Sequence, residues 1–294
     1  MSETSPAFPA APGIAFLDDR AIIAIGGKDC VHFLHNLLTA NIEALKPGAG
    51  TLAALLTPQG KIITDMLVFN ASDEEPLFLI DVPRGFSEDL ASRLSRYRLR
   101  ADVTIDLIEA PVGVAVLLDS PPASSDAFYI FPDPRHPALG QRVIGPHAEI
   151  ETAFDALPKL TPGTFHQRRV MLAIAEGGKD YFAGAIFPHE ANFDRLHGVD
   201  FRKGCYIGQE VVSRMEHRGT ARTRAVPIRF ANGFGVLGGS SVVAGTREIG
   251  RIGEVYEGHA LAFIRLDKLA EARASGEGIS AGGVGIVVYS EQYT

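Results

Sequence analysis

The run Lys203-Gly204-Cys205-Tyr206-Ile207-Gly208-Gln209-Glu210 concentrates the most reactive side chains of the chain. A cysteine acts as nucleophile, metal ligand or redox group through its thiolate, and nearby cations favour that form. Arg202 and Lys203 supply two such cations in sequence. Gly204 and Gly208 permit a sharp bend or a close backbone approach to a ligand. Gln209 and Glu210 add hydrogen-bonding capacity. The run predicts a partly accessible Cys205 with a lowered pKa. The alternative is a tight turn around a buried cysteine, where desolvation raises the pKa. There is no C-x-x-C pair, which excludes a self-contained dithiol cycle. The other cysteine, Cys30, opens an amphipathic stretch and is expected in a core. Two cysteines supply neither a disulfide framework nor a four-cysteine metal or cluster site.

Asp65 stands out in a second place. It lies in KIITDMLVF, on the same strand face as Ile63, Leu67 and Phe69, with an equally apolar opposite face of Ile62, Met66 and Val68. A buried carboxylate without a partner costs several kcal/mol, roughly. Asp65 must therefore either face a polar cavity or meet a donor such as an arginine. His32 and His35 are three apart on a predicted helix, but no further ligand accompanies them in sequence. His189-Glu190 and His217-Arg218 flank the thiol run and either line its cavity or form structural hydrogen bonds. HRGTARTR, just beyond, is a solvated basic loop or an attractor of an anionic ligand or an RNA.

The elements that must position these residues change character along the chain. AIIAI is a short strand, followed by a helix over CVHFLHNLLTANI with Asp29 as N-cap. TLAALL and KIITDMLVF are strands joined by the turn TPQG. PLFLIDV is another strand, Ser87 caps a helix over EDLASRLSRYRLR, and ADVTIDLI and VGVAVLL are strands. This α+β order suits a split βαβ or ferredoxin-like half. EIETAFDAL is a short helix in a Pro-rich middle segment. After Arg224, short β-type runs alternate with glycine-rich turns, as in a small barrel or sandwich. The expected division is a disordered lead-in over 1–13, an α+β unit over 14–110, a second α+β unit over 111–224 and a barrel over 225–294.

A length of 294 residues, 46% hydrophobic and 21% charged, allows two or three compact units. The net charge of -7 argues against a general nucleic-acid binder. No apolar run is long enough to span a bilayer, and the N-terminus does not read as a secretory signal. Cysteine usage suggests a reducing compartment, the cytoplasm being the simplest.

The run K-G-C-Y-I-G-Q-E, within GVDFRKGCYIGQE, resembles the signature of the YgfZ-type folate-binding proteins that support iron–sulfur enzymes, relatives of the glycine-cleavage aminomethyltransferase. Further likeness runs through LDDRAIIAIGG, LHNLLTANI and LLTPQGKIITD. The resemblance implies an α+β, aminomethyltransferase-like assembly of several parts around a central folate cavity, with a C-terminal β-barrel. It implies tetrahydrofolate or a derivative as ligand, and iron–sulfur enzymes or cluster assembly proteins as partners. Lys203, Cys205 and Asp65 are then the chemical residues, and Asp65, Arg20, Arg169, Glu176 and Tyr206 the folate contacts. An arginine at position 20 or 169 would stack on the pteridine or pair with the folate carboxylate; otherwise each is a solvated surface residue. Two departures are visible. The aminomethyltransferase Asp-Asp pair becomes Thr64-Asp65, and its L-E-A-G run becomes IAEGG, with Glu176 offset by one. The leading expectation is a folate-binding factor for assembly or repair of iron–sulfur enzymes. The alternatives are a folate-dependent aminomethyl transferase and an RNA- or tRNA-associated protein.

Overall fold

The structure, a computed structural model, describes residues 12–72, 74–108, 111–219 and 221–289. Most of the expected lead-in therefore lies outside the described residues. β1 (Gly13–Phe16) and β2 (Arg20–Gly26) precede α1 (Cys30–Leu37). Then come β3 (Gly50–Leu56), β4 (Ile62–Asn70), β5 (Leu77–Pro83), α2 (Arg84–Arg98) and β6 (Thr104–Ile108). Strands β2 to β6 make an antiparallel sheet in the order β3-β4-β5-β2-β6. One face packs Ile23, Ile25, Val68 and Ile80 against Phe33 and Leu34 of α1 and Leu90 and Leu94 of α2. The other packs Leu52, Leu67, Phe69 and Leu79 against the rest of the molecule. Burial on both faces explains why β4 reads as a continuous apolar run rather than an alternating one.

The second part holds β7 (Val112–Leu118), β8 (Tyr129–Pro132), β9 (Gln141–Pro146), α3 (His147–Ala153) and α4 (Pro162–Met171). Its sheet runs β1-β7-β9-β8, so β1 leaves the unit that follows it and pairs with β7, Gly13 opposite Leu118. A long loop segment leads to α5 (Gln209–Arg218). The last part comprises β10 (Thr223–Phe230), β11 (Ser241–Ala244), β12 (Arg247–Tyr256), β13 (His259–Arg265), α6 (Leu266–Ser275), β14 (Ile279–Ala281) and β15 (Val284–Val288). It is a closed six-stranded barrel, β10-β13-β12-β11-β14-β15, around Val226, Ile228, Phe230, Ile252 and Ile264.

Two helix starts differ from expectation. Asp29 makes no cap bond; its carboxylate accepts the Asp102 N–H at 2.8 Å, tying the start of α1 to the approach of β6. α2 begins at Arg84, directly after Pro83 ends β5, so Ser87 lies inside the helix and donates to the Arg84 carbonyl at 2.9 Å. α1 stops at Leu37 rather than continuing through TANI, because Leu38 bridges Leu55 and the Thr39 N–H donates to the Ala54 carbonyl.

Candidate functional site

The thiol run lies where α1 ends. Asp200 accepts the backbone N–H groups of Arg202 at 2.7 Å and Lys203 at 3.1 Å, and the Asn41 side chain at 3.1 Å. Thr39 Oγ1 donates to the Gly198 carbonyl at 2.6 Å. Lys203 is buried and donates through Nζ to the carbonyls of His35, Leu38 (2.6 Å) and Ala40 (2.7 Å). The His35 and Leu38 carbonyls are among those that the end of α1 leaves unpaired, at the negative end of its dipole, and Ala40 follows just beyond. Burial pushes Lys203 down to about 8, against the pull of Asp200 and Glu43. Its ammonium also stands 5.2 Å from the centre of the buried Tyr206 ring. Lys203 is thus spent on α1 and Tyr206, which corrects the expectation that it serves the thiol. Cys205 is exposed and Cys30 buried, as the sequence suggested.

The two glycines of the run differ. Gly208 has φ +82°, and a Cβ there would meet the Thr57 carbonyl oxygen at 2.6 Å and Gly60 Cα at 2.9 Å. The TPQG turn therefore packs directly on the start of α5, and only glycine allows it. Gly204 has open space around it and a backbone outside the left-handed region. Its expected role in the bend is not required.

Arg20, Asp65, Arg169 and Glu176 do come together, but in the interior. All four are buried, which overturns the surface reading of the two arginines. Arg20 donates through Nε to Asp81 Oδ1 at 2.6 Å and stands 3.4 Å from Glu176. Arg169 donates to Asp180 Oδ2 at 2.5 Å and to the Ile174 carbonyl at 2.6 Å. Asp65 Oδ1 accepts the Gly177 N–H at 2.8 Å and the Tyr181 hydroxyl at 2.7 Å. Burial and the Glu176 charge raise the Asp65 carboxyl above its ordinary range. Burial alone would raise Glu176 too, but Arg20, Arg169, His166 and Arg135 hold it well below. Tyr206 packs with Lys203 instead of contributing to this ion network.

Sequence reasoning missed Asp81, Asp133, Arg135, Arg142, Asp180 and Tyr181, which complete the network. Arg142 lies on β9, 3.5 Å from both Asp81 and Asp133, and its guanidinium packs over Phe165 at 4.9 Å. The signal was the one that marked Asp65: Asp81 in PLFLIDV and Arg142 in QRVIG are charges inside apolar strands.

This interior leaves several buried polar atoms without a hydrogen-bond partner. Neither Glu176 oxygen has a hydrogen-bond partner, nor do Nε, Nη1 and Nη2 of Arg142 or one terminal nitrogen each of Arg20 and Arg169. A carboxylate and several N–H groups left so are what a pterin edge could engage. The same groups are ion-paired to one another, so an entering ring must displace part of that pairing. Two cavities open elsewhere: about 430 Å³ beside Asn41, Asp194, His197 and Phe201, and about 700 Å³ beside Gly27, Pro76 and Thr104.

The remaining candidates disperse. His32 and His35 both approach Glu43, at 3.6 and 3.9 Å. His217 is exposed, and Glu190 accepts the Phe187 N–H at 2.8 Å. The three arginines of the basic run are not all free, because Arg224 is bound to Asp194 at 2.6 and 2.8 Å.

Residues 222–290 match the family described as CAF17, C-terminal beta-barrel domain. The chain is 32% identical over 280 residues to the iron-sulfur cluster assembly factor IBA57 homolog, mitochondrial, of Chaetomium globosum, covering 83% of this chain and 64% of that protein. The Neurospora crassa homolog is 31% identical over 233 residues, 73% of this chain and 53% of that protein. The Pyricularia oryzae homolog is 34% identical over 222 residues, 73% and 57%. The chain thus spans between about half and two thirds of the length of these relatives. The crystal structure of the glycine cleavage system aminomethyltransferase T from Bartonella henselae superposes with a TM-score of 0.74 at 13% identity, over 97% of this chain and 87% of that one. The chain therefore has the aminomethyltransferase fold, ends in a barrel matching the CAF17 type, and is similar over most of its own length to IBA57 assembly factors.

Proposed function

We propose that this protein is an assembly or repair factor for iron–sulfur proteins, acting through the Cys205 loop on enzymes or assembly proteins that carry or receive a cluster. The observation that carries the reading is the exposed thiol on a loop clamped to α1 by Lys203. A thiol held outward on an ordered loop can meet a partner without refolding. Similarity to proteins named as iron–sulfur cluster assembly factors supports it. The YgfZ-type assignment rests on K-G-C-Y-I-G-Q-E and belongs to the same proposal. The compartment is a reducing one; the cytoplasm is the plain choice from cysteine usage, whereas the relatives are named as mitochondrial. Among the described residues no helix is long and apolar enough to cross a membrane. The test is complementation of a strain lacking its own protein of this kind, scored by the activity of iron–sulfur enzymes. Wild type should restore activity and Cys205→Ser should not. Full rescue by Cys205→Ser would overturn the role of the thiol.

A second element of the proposal is a reduced folate, tetrahydrofolate or a derivative, bound at Glu176 and its arginines. The Glu176 oxygens, ion-paired to Arg20, Arg135 and Arg169 but without a hydrogen-bond partner, favour it. Calorimetric titration with tetrahydrofolate decides: saturable heat supports it, and none at millimolar ligand makes the network structural. The transferase alternative would have Asp65 as its one carboxylate at that turn, since Thr64 stands beside it. Turnover of a methylene donor with tetrahydrofolate would distinguish it.

A further inference from the structure

Three ligating side chains meet outside both the thiol loop and the charged interior. His189 lies in the 3-10 turn Pro188–Ala191, Asp194 follows that turn, and Glu216 lies in α5. One ligand atom from each lies within 4.8 Å of the other two. His189 Nε2 stands 3.0 Å from Glu216 Oε2. The histidine is 2% exposed, and its Nδ1 has no hydrogen-bond partner. Its ring packs against Phe201 with centroids 5.7 Å apart.

Arg224 holds two of the three in place. It donates to the His189 carbonyl oxygen at 2.6 Å and grips Asp194 with both terminal nitrogens, at 2.6 and 2.8 Å. A carboxylate offers about four lone-pair sites, so each Asp194 oxygen keeps one for another partner. Hydrogen-bonded ligands of this kind are the usual outer shell of a metal site. Asp194 also lines the 430 Å³ cavity, as does Phe201, and the Glu216 side chain is 43% exposed on the other side of the set.

We propose that His189, Asp194 and Glu216 bind one borderline divalent cation of the Zn2+ class. Imidazole selects such ions over Mg2+ and Ca2+, which prefer all-oxygen sets. Ligand atoms around an ion with bonds of about 2.1 Å stand roughly 3–4 Å apart; the His189–Glu216 pair is already that close at 3.0 Å, and a pair as wide as 4.8 Å must close by about 1–2 Å. Glu216, with a side chain 43% exposed, has the freedom to do so. Three protein ligands leave further positions for water or for a partner's group. The bound ion would join the 188–191 turn to α5, the helix that begins inside the thiol run.

The experiment is equilibrium dialysis of chelator-stripped full-length protein against ZnCl2 and, separately, MgCl2, with metal counted by mass spectrometry. Cys205→Ser is included because an exposed thiol also takes zinc. One Zn2+ per chain is expected in both wild type and Cys205→Ser, with no Mg2+ retained. Glu216→Gln, at a half-exposed position that spares the core, should weaken Zn2+ binding about ten-fold or more. Zn2+ should raise the unfolding temperature of wild type and not of Glu216→Gln. Loss of zinc from Cys205→Ser, equal binding by Glu216→Gln, or Mg2+ held as firmly as Zn2+ would overturn the site.

Discussion

The Lys203 ammonium donates to the Leu38 carbonyl oxygen at 2.6 Å, joining the loop that carries Cys205 to the end of a helix more than 160 positions earlier in the chain. The ammonium completes a helix terminus as a capping group would, and the His35 and Ala40 carbonyls share it. Hydrogen bonds from charged donors contribute about 1.5–3 kcal/mol, and orphaned buried carbonyls cost more than the bond returns. Lys203→Met keeps the stem and removes the donor. It should lose about 2–4 kcal/mol in urea unfolding. Lys203→Arg should recover less than half of that, since a planar fork does not converge on three carbonyls as a compact ammonium does.

Gly208 and Gly204 should respond differently to alanine. Gly208→Ala places a Cβ against Thr57 and Gly60 on a left-handed backbone. It should cost about 2 kcal/mol or more. Gly204→Ala meets open space and should stay within about 0.5 kcal/mol. Equal losses in thermal melts would contradict the packing of the TPQG turn on α5.

The two thiols should separate by reagent access. Iodoacetamide should label Cys205 in the folded protein and Cys30 only after unfolding, read by peptide mass spectrometry. Cys30→Ala should cost about 1 kcal/mol through lost packing and still complement. Labelling of Cys30 at native rates would mean that the α1 face opens readily.

Acid should weaken the interior through Glu176 and Asp133, whose carboxyls their arginines hold below the ordinary range despite burial. A carboxyl lowered in the folded state stabilises above its unfolded pKa and loses that contribution as pH falls. Asp65 and Asp180 are raised, mainly by burial, and act in the opposite sense, losing stability as pH rises past their unfolded values. Glu176→Gln should therefore be most destabilising relative to wild type near neutral pH. The gap should narrow below about pH 4.5, where the unfolded glutamate is protonated anyway. A gap independent of pH in denaturant titrations would show that Glu176 acts through shape alone.

Much of this was legible in the chain. Turn chemistry and apolar runs gave the strands around TPQG, the barrel after Arg224 and the buried Cys30. The exposure of Cys205 followed from its glycine-flanked, cation-rich setting, although the cation adjoining it serves a different partner. That partner was hidden because backbone carbonyls at the end of α1 leave no mark in the identity of His35, Leu38 or Ala40. The interior network was half visible: Asp65 was conspicuous on an apolar strand, yet Asp81 carried the same signature in a strand read only for its apolar residues, and Arg142 lies in β9, a segment not read as a strand. β1 was missed because GIAF is four residues long and its partner lies far along the chain.

That last pairing also constrains the order of folding. β1 is made first, yet its place against β7 does not exist until roughly a hundred further residues have been synthesised. The five-stranded sheet draws all of its strands from 20–108 and can be completed before β7 emerges. The segment Gly13–Phe16 must meanwhile stay unpaired, with Ile14 and Phe16 available to wrong neighbours. Its late docking, completed by Pro158 and Leu160 hydrogen-bonding to Ile14, acts as a clasp that closes only when the second unit is in place. Premature termination between residues 108 and 112 would therefore release a sheet that can form but a clasp with nothing to hold.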